Sequence, residues 1–447
     1  MSHLRAFRER LVELRRSYPS WCPRIAVFPI AAFVAVNLTL PRTAHAQSEA
    51  AASMSQAADR SCTANPRIPD NTFISVFVPG SPGSPLCQFT AAGASFDSAA
   101  PIQFAVFNSL AIQSGQQFEA IVRERIETLQ KNMPGDIALH HATSLPGLAK
   151  APYKTGGAAS ADQDNGGRLG TFFTVEGSKG DQSATSRQDG FDGHTLNLVG
   201  GVDYRFSPSI VIGGAVGYQK GKTAFNFDRG SIDLDSYLVS TFFNWSADKG
   251  WYLDAIVSHA FNRYDTTRRF VDPVGAPQTT TASPDGRRST ATASIGYNLF
   301  RGPYAFAPFV SINYINQHIS AFSESGAIAT DLAVGAQSQN SLTGGLGLQG
   351  SRPISTSWGV LSLGARAEWK HEFRNDSLVL PMSFSVDPAN GAFQVPTDAP
   401  DRSYFLVGVS AAAQFARGRS AFIQYDTVLG LRDVSNNILS AGVRLEF

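Results

Sequence analysis

The sequence predicts an all-β fold: a transmembrane antiparallel β-barrel of about 12 strands, preceded by a short amino-terminal segment with one helix. Three observations predict it. From Arg168 onward, apolar residues recur at every second position, the period of a strand with one apolar face. Charged residues keep to the opposite parity, while aromatic residues gather at strand ends. Short turns alternate with long polar loops near 178–193, 265–286 and 374–401, the rhythm of a barrel with tight turns on one side of a membrane and larger loops on the other.

Composition agrees. Of 447 residues only 16% are charged, against roughly 25% in an average soluble domain; Gly numbers 40 and aromatics reach 11%. Mean hydropathy is −0.10. Beyond the amino-terminal segment, no run approaches the ~18 apolar residues of a membrane helix, because in a barrel strand alternation hides the hydrophobicity. The net charge of +1 gives no field that would draw nucleic acid, so none is expected as a partner. The sheet must close, since an open edge in lipid leaves backbone groups unpaired.

Met1 to Arg24 is basic, Ile25 to Leu40 is apolar, and Ala44-His45-Ala46 forms a small-residue cleavage site. Residues 1–46 therefore read as a signal peptide. Its removal takes Cys22 and leaves Cys62 and Cys87, an even pair expected to form a disulfide in an oxidising compartment. Residues 47–149 read as a short passenger or plug segment. In it, Ser48 to Asp59 is Ala/Ser-rich and reads as disordered. Thr72 to Val78 reads as a short strand, and Ser109 to Lys131 as a helix with Phe118, Ile121, Val122, Arg125, Ile126 and Leu129 on one stripe. Residues 150–167, rich in Gly, Ala and Asp, read as a linker.

The barrel is expected over 168–447. Thr195 to Phe206 is its clearest strand: Leu196, Leu198, Val202, Tyr204 and Phe206 share one face, and Asn197, Asp203 and Arg205 the other. Asp203, Arg205, Asp254, Arg366, Glu368 and Arg444 are expected to face the lumen, because an Arg or Lys facing mid-bilayer lipid costs about 2–4 kcal/mol. Trp245, Trp251, Tyr304 and Trp358 are expected in the interface girdles. Leu439 to Phe447 alternates to its end, so Val443, Leu445 and Phe447 are expected to form the assembly signal. The polar face of the 109–131 helix is expected to pair with lumen charges such as Asp203, Arg205, Arg366 and Glu368.

Catalytic motifs are not apparent. There is no G-x-S-x-G, no phosphate loop and no metal-spaced His or Cys set, and the adjacent rings of His140 and His141 point apart on any regular element. Asp254, Glu368 and His371 show no nucleophile–base spacing. The expectation is a chain that is not an enzyme and needs neither cofactor nor metal.

Several local patterns resemble the autotransporter β-domain family. They are Gly250-Trp251-Tyr252-Leu253-Asp254-Ala255 followed by Arg263-Tyr264-Asp265 and Arg268; Pro303-Tyr304-Ala305 with Phe322-Ser323-Glu324-Ser325-Gly326; Glu368-Trp369-Lys370-His371-Glu372-Phe373; and Gly442-Val443-Arg444-Leu445-Glu446-Phe447. Together they run across about 165–447. The resemblance implies a twelve-stranded barrel in the outer membrane of a Gram-negative bacterium, often threaded by an amino-terminal helix. It also implies contact with outer-membrane lipid, periplasmic chaperones and the outer-membrane barrel assembly machinery, which reads the terminal strand. The function expected is a translocator that exports, displays or retains a short passenger, with adhesion as the family's common surface role. The alternative is a channel or porin-like barrel with a periplasmic or lumenal cap. The chain departs from the family in its small passenger, and in a helix that ends some 36 residues before the first strand.

Overall fold

Strict alternation over most of the carboxy-terminal half gives long strands with one face for lipid and one for the interior. The computed structural model describes residues 48–63, 85–91, 96, 98–107, 110, 117, 121 and 168–446, the last without 186, 248, 249, 273, 274, 328, 375, 400 and 417. The expected signal peptide, the 72–78 strand, the linker, His140, His141, Phe447 and most of the 109–131 helix lie outside the described residues.

Twelve strands form one closed antiparallel barrel. They are β1 (Leu169–Gln182), β2 (Phe191–Ser207), β3 (Ile210–Phe225), β4 (Gly230–Ser246), β5 (Trp251–Val271), β6 (Asp285–Tyr297), β7 (Tyr304–Ile319), β8 (Gln337–Thr356), β9 (Gly359–Glu372), β10 (Ser403–Phe415), β11 (Arg419–Leu429) and β12 (Val434–Glu446). Each pairs with its neighbours in sequence, and β12 closes on β1 from Gly170 opposite Glu446 to Gln182 opposite Val434. Among the described residues no helix is long and apolar enough to cross a membrane.

Parity follows the sequence reading. In β5, Val257 is 58% exposed while its neighbour Ser258 is 4% exposed. Outward apolar side chains begin and end in aromatics. Trp245, Trp251, Tyr304 and Trp358 lie on the outer face at the short-turn end, where Trp251 meets Tyr297 edge-on and Trp358 packs against Phe415 with the rings tilted by 34°. Toward the long-loop end, Tyr314 and Tyr425 donate their hydroxyls to Asn340 and Asn437 at 2.8 and 2.7 Å. An amphipathic ring with a polar tip suits a membrane interface.

The inner face has a second regularity. Five inward aromatic rings lie over glycines directly opposite them on a neighbouring strand: Phe172 over Gly201, Phe242 over Gly213, Tyr252 over Gly296, Phe309 over Gly347 and Phe422 over Gly442. A Cβ at Gly213 would stand 2.1 Å from the Phe242 ring. The missing side chain lets each ring lie flat along the wall.

Three expectations change. Ser48–Thr63 is an α-helix, α1, and not disordered. Its small side chains permit close packing: Ala50, Met54, Ala57, Ala58 and Ser61 form one buried stripe against the strand Ala392–Pro396. A disulfide from Cys62 to Cys87 ties α1 to a second helix, α2 (Pro85–Ala91). The region 265–286 is not simply a loop, since β5 runs on to Val271 and pairs there with Pro277–Ala282. Nor is 374–401 unstructured: Val379–Phe384 and Ala392–Pro396 join Phe322–Ser323 and Leu332–Val334 in a four-stranded sheet.

Candidate functional site

The long-loop end of the barrel is filled by a single apolar core. About half of its side chains come from the amino-terminal residues 50–107, among them Met54, Leu86, Phe96, Ile102, Phe104 and Phe107. The four-stranded sheet contributes Leu332, Val334, Leu380, Phe384 and Val395, and the upper barrel wall contributes Phe191, Phe225, Leu234 and Tyr264. Phe107 meets Tyr264 edge-on at 5.2 Å between ring centres.

Two arginines hold the backbone of this segment. Arg268 of β5 is 1% exposed and forms a two-pronged ion pair with Glu324, itself 1% exposed, at 2.8 and 2.5 Å. It also donates to the carbonyls of Ala99 at 2.9 Å and Thr330 at 3.1 Å, and its guanidinium lies 4.2 Å from the centre of the Phe270 ring. Glu324 further accepts from the Thr280 hydroxyl and the Leu332 amide. Arg229, between β3 and β4, donates to the carbonyls of Ser98 at 3.1 Å and Ala100 at 3.2 Å and faces Asp189 at 3.2 Å. Burial pushes the Asp189 carboxyl up to about 6, against the pull of Arg229.

Below this cap the chain enters the lumen. Val106, Phe107, Leu110, Gln117 and Ile121 are helical. Gln117 donates to the Ser178 hydroxyl at 2.8 Å and accepts from the Thr195 hydroxyl at 3.0 Å. Ile121 is buried in one apolar cluster with the inward-facing Phe172, Val199, Val211, Leu238, Phe242 and Ile256. The apolar seat on β1 to β5 stands among polar groups such as Glu176, Asn197, Asn244 and Asp254, and β6 to β12 line their side with Thr292, Asn313, Thr343, Glu368, Asp426 and Arg444. A small cavity of about 100 Å³ is bordered by residues that include Ala307, Gln349, Arg366, Ser410 and Gln424.

The lumen charges named from sequence mostly find partners on the barrel itself. Asp203 pairs with Arg444 at 3.3 Å, and Arg444 also meets Glu446. Arg366 pairs with Glu368 at 3.2 Å, and Glu368 accepts from Ser311. Asp254 accepts from Asn244 at 2.7 Å. Arg205 is half-buried near the short-turn end of β2. Of the helix polar face expected to pair with these charges, Gln117 meets Ser178 and Thr195, and the other polar residues lie outside the described residues. Arg268 and Glu324 stood in separate motifs of the sequence, and nothing in it joined them. The apolar seat had a signal that was passed over: Leu198-Val199, Ile210-Val211-Ile212 and Ala255-Ile256-Val257 are apolar on both parities, as in strands buried on two sides.

Three histidines hydrogen-bond serines across strands: His259 to Ser289, His318 to Ser338 and His371 to Ser403, at 2.8–2.9 Å. All three pairs are on the outer face, and His371 lies beside the exposed rings of Trp369 and Phe373.

The model of the autotransporter β-domain family matches residues 171–426. The chain belongs to that family. Its barrel is an outer-membrane autotransporter translocator, and the channel alternative is the weaker reading. Among solved structures, the translocator domain of autotransporter NalP from Neisseria meningitidis superimposes with a TM-score of 0.54 at 15% identity, over 76% of this chain and 99% of that one, a likeness of fold. Among curated proteins, Esterase EstA of Pseudomonas aeruginosa and that of Pseudomonas putida are each 27% identical over 238 residues, 52% of this chain and 36% of the relative. The chain thus spans about a third of the length of these relatives. They overturn the expectation of a chain that is not an enzyme: this autotransporter has relatives named for ester hydrolysis, and a sequence scan for nucleophile motifs did not anticipate them.

Proposed function

We propose that this translocator keeps its own amino-terminal segment as a cap and plug, with residues 1–46 as signal, 47–149 as retained passenger, 150–167 as linker and 168–447 as barrel. The observation that carries the reading is the apolar core shared by residues 50–107 and the barrel mouth. Fully burying a large apolar side chain is worth roughly 1.5–3 kcal/mol. Phe96, Phe104, Phe107 and Ile102 are all at or below 1% exposure, so separating the segment from the mouth costs far more than thermal motion supplies. The long loops then face the cell exterior, and the segment lies at the surface and in the lumen. Insertion runs through periplasmic chaperones and the barrel assembly machinery, with Val443, Leu445 and Phe447 as the signal read.

Conductance tests this. The intact protein in planar bilayers should pass little current, and deletion of 109–131 should raise it without loss of insertion. An intact protein that conducts like an open twelve-stranded pore, unchanged by the deletion, would remove the plug.

A second reading rests on the two esterase relatives alone: ester hydrolysis by the full chain. Its measurement is turnover of short-chain aryl esters by purified protein, and a rate no faster than buffer would end it.

A further inference from the structure

The four-stranded sheet at the long-loop end is ordered Phe322–Ser323, Leu332–Val334, Val379–Phe384, Ala392–Pro396, which makes Ala392–Pro396 an outermost strand. Register assigns its backbone groups to its two edges. Pro381 has no N–H to give, and its carbonyl accepts from the Gly335 amide, on the side away from Ala392–Pro396, at 2.8 Å. Gln394 stands opposite Pro381, so its own N–H and C=O point to the outer edge. The groups of Ala392, two residues back, point the same way. An outer edge of this kind is a template for another strand, and Ala392–Pro396 carries no charge that would repel one.

A helix lies on this edge instead. α1 packs along Ala392–Pro396, and two of its side chains stand in for a strand: Ser53 Oγ accepts from the Gln394 N–H at 3.4 Å, and Arg60 donates to the Ala392 carbonyl. The cover is light. The buried side chains of α1 are Ala50, Ala51, Met54, Ala57, Ala58 and Ser61, and an alanine methyl gains far less from burial than a leucine or phenylalanine side chain. Phe96, Phe104 and Phe107, further along the segment, carry the core. α1 can therefore leave the edge while the rest of the cap stays seated. The outward groups of Gln394 are also self-complementary. Residues directly opposite in a hydrogen-bonded antiparallel pair exchange both bonds, so Gln394 of one copy and Gln394 of a second satisfy each other about a two-fold axis. Two residues out, the Pro396 carbonyl of one copy receives the Ala392 N–H of the other.

We propose that the outer edge of Ala392–Pro396 is a pairing surface for a second copy of this chain, concealed by α1, so that the position of α1 decides between single and paired barrels. Concealment rests on the retention of the amino-terminal segment proposed above. The two fail separately: a lost plug shows as conductance, a lost pairing surface as particle mass.

The test uses the full chain, folded in detergent micelles, with the protein mass of the particle measured by light scattering. The parent should have the mass of a single chain. Met54→Asp/Ala58→Asp, which places carboxylates on the buried stripe of α1, should move the protein to twice that mass. Adding Gln394→Pro, which removes the N–H at the centre of the pairing and leaves the uncovered apolar groups as they are, should return it to a single chain. Adding Gln394→Cys in its place should cross-link two copies under oxidation, because opposite residues of a bonded antiparallel pair lie about 5.5 Å apart, within the span of a disulfide. Heat-modifiable migration verifies that each barrel is folded. If the Met54→Asp/Ala58→Asp variant does not fold, Ser53→Gly/Arg60→Gly takes its place, after dithiothreitol has opened the Cys62–Cys87 tether. A single-chain mass with α1 undocked would overturn the proposal. Association that persists with Gln394→Pro would also overturn it and assign the contact to uncovered apolar side chains. A parent already at twice the mass would remove α1 as the cover.

Discussion

Arg268→Met frees the amino-terminal cap while the barrel stays folded. The substitution leaves Glu324, 1% exposed, without its cation, and it removes the donors to the carbonyls of Ala99 and Thr330. Breaking a buried, hydrogen-bonded ion pair by removing one partner costs about 3–5 kcal/mol, more than a hundredfold in an opening equilibrium. The loss falls locally, because Arg268 joins the cap, the four-stranded sheet and the top of β5, not the strands within the bilayer. Limited proteolysis should cut residues 85–107 at least a hundred times faster in the variant, with heat-modifiable migration unchanged. The double variant Arg268→Met/Glu324→Leu should recover most of the protection, since a buried pair exchanged for apolar groups of similar volume is often neutral. If the single variant resists protease as the parent does, the ion pair does not hold the cap.

Gly213→Ala should hinder assembly, and Phe242→Ala should relieve it. The added Cβ would stand 2.1 Å from the Phe242 ring, and that ring shares the apolar seat with Ile121 and Phe172. The ring must swing toward the helix, an overpacking that costs about 1–3 kcal/mol. The neighbouring glycine supplies the control. Gly214 has only the Ser240 carbonyl near its Cβ position, at 3.7 Å, so Gly214→Ala should change little. The readout is the midpoint of the heat-modifiable transition for Gly213→Ala, Gly214→Ala and Gly213→Ala/Phe242→Ala. Equal midpoints for the two glycine variants would remove steric closeness as the reason for the glycine.

What was legible in the sequence was what lipid enforces. A misplaced charge on the outer face is expensive, so Val257 and Ser258, or Leu196 and Asn197, declare their sides from one residue to the next. The family resemblance added the strand order, and its barrel is the one the family match supports. What was not legible is set by partners remote in sequence. The Ala/Ser stretch of α1 is a weak pattern by itself and becomes a helix against Ala392–Pro396, more than three hundred residues away. The apolar seat for Ile121 was hidden by the rule that made the barrel visible, because polar interiors were expected on the inner parity. The Arg268–Glu324 pair needs the fold of the 320–335 region, which neither periodicity nor spacing specifies.

The closing seam also has a consequence in time. Ser440 of β12 donates to Glu176 of β1 across 264 residues of sequence. Because the barrel forms only after export, β1 cannot complete its pairing until β12 has also left the cytoplasm and been delivered to the membrane. A copy cut short before Val434 keeps an open edge at β1, and it should accumulate as degraded or aggregated chain and not as heat-modifiable barrel.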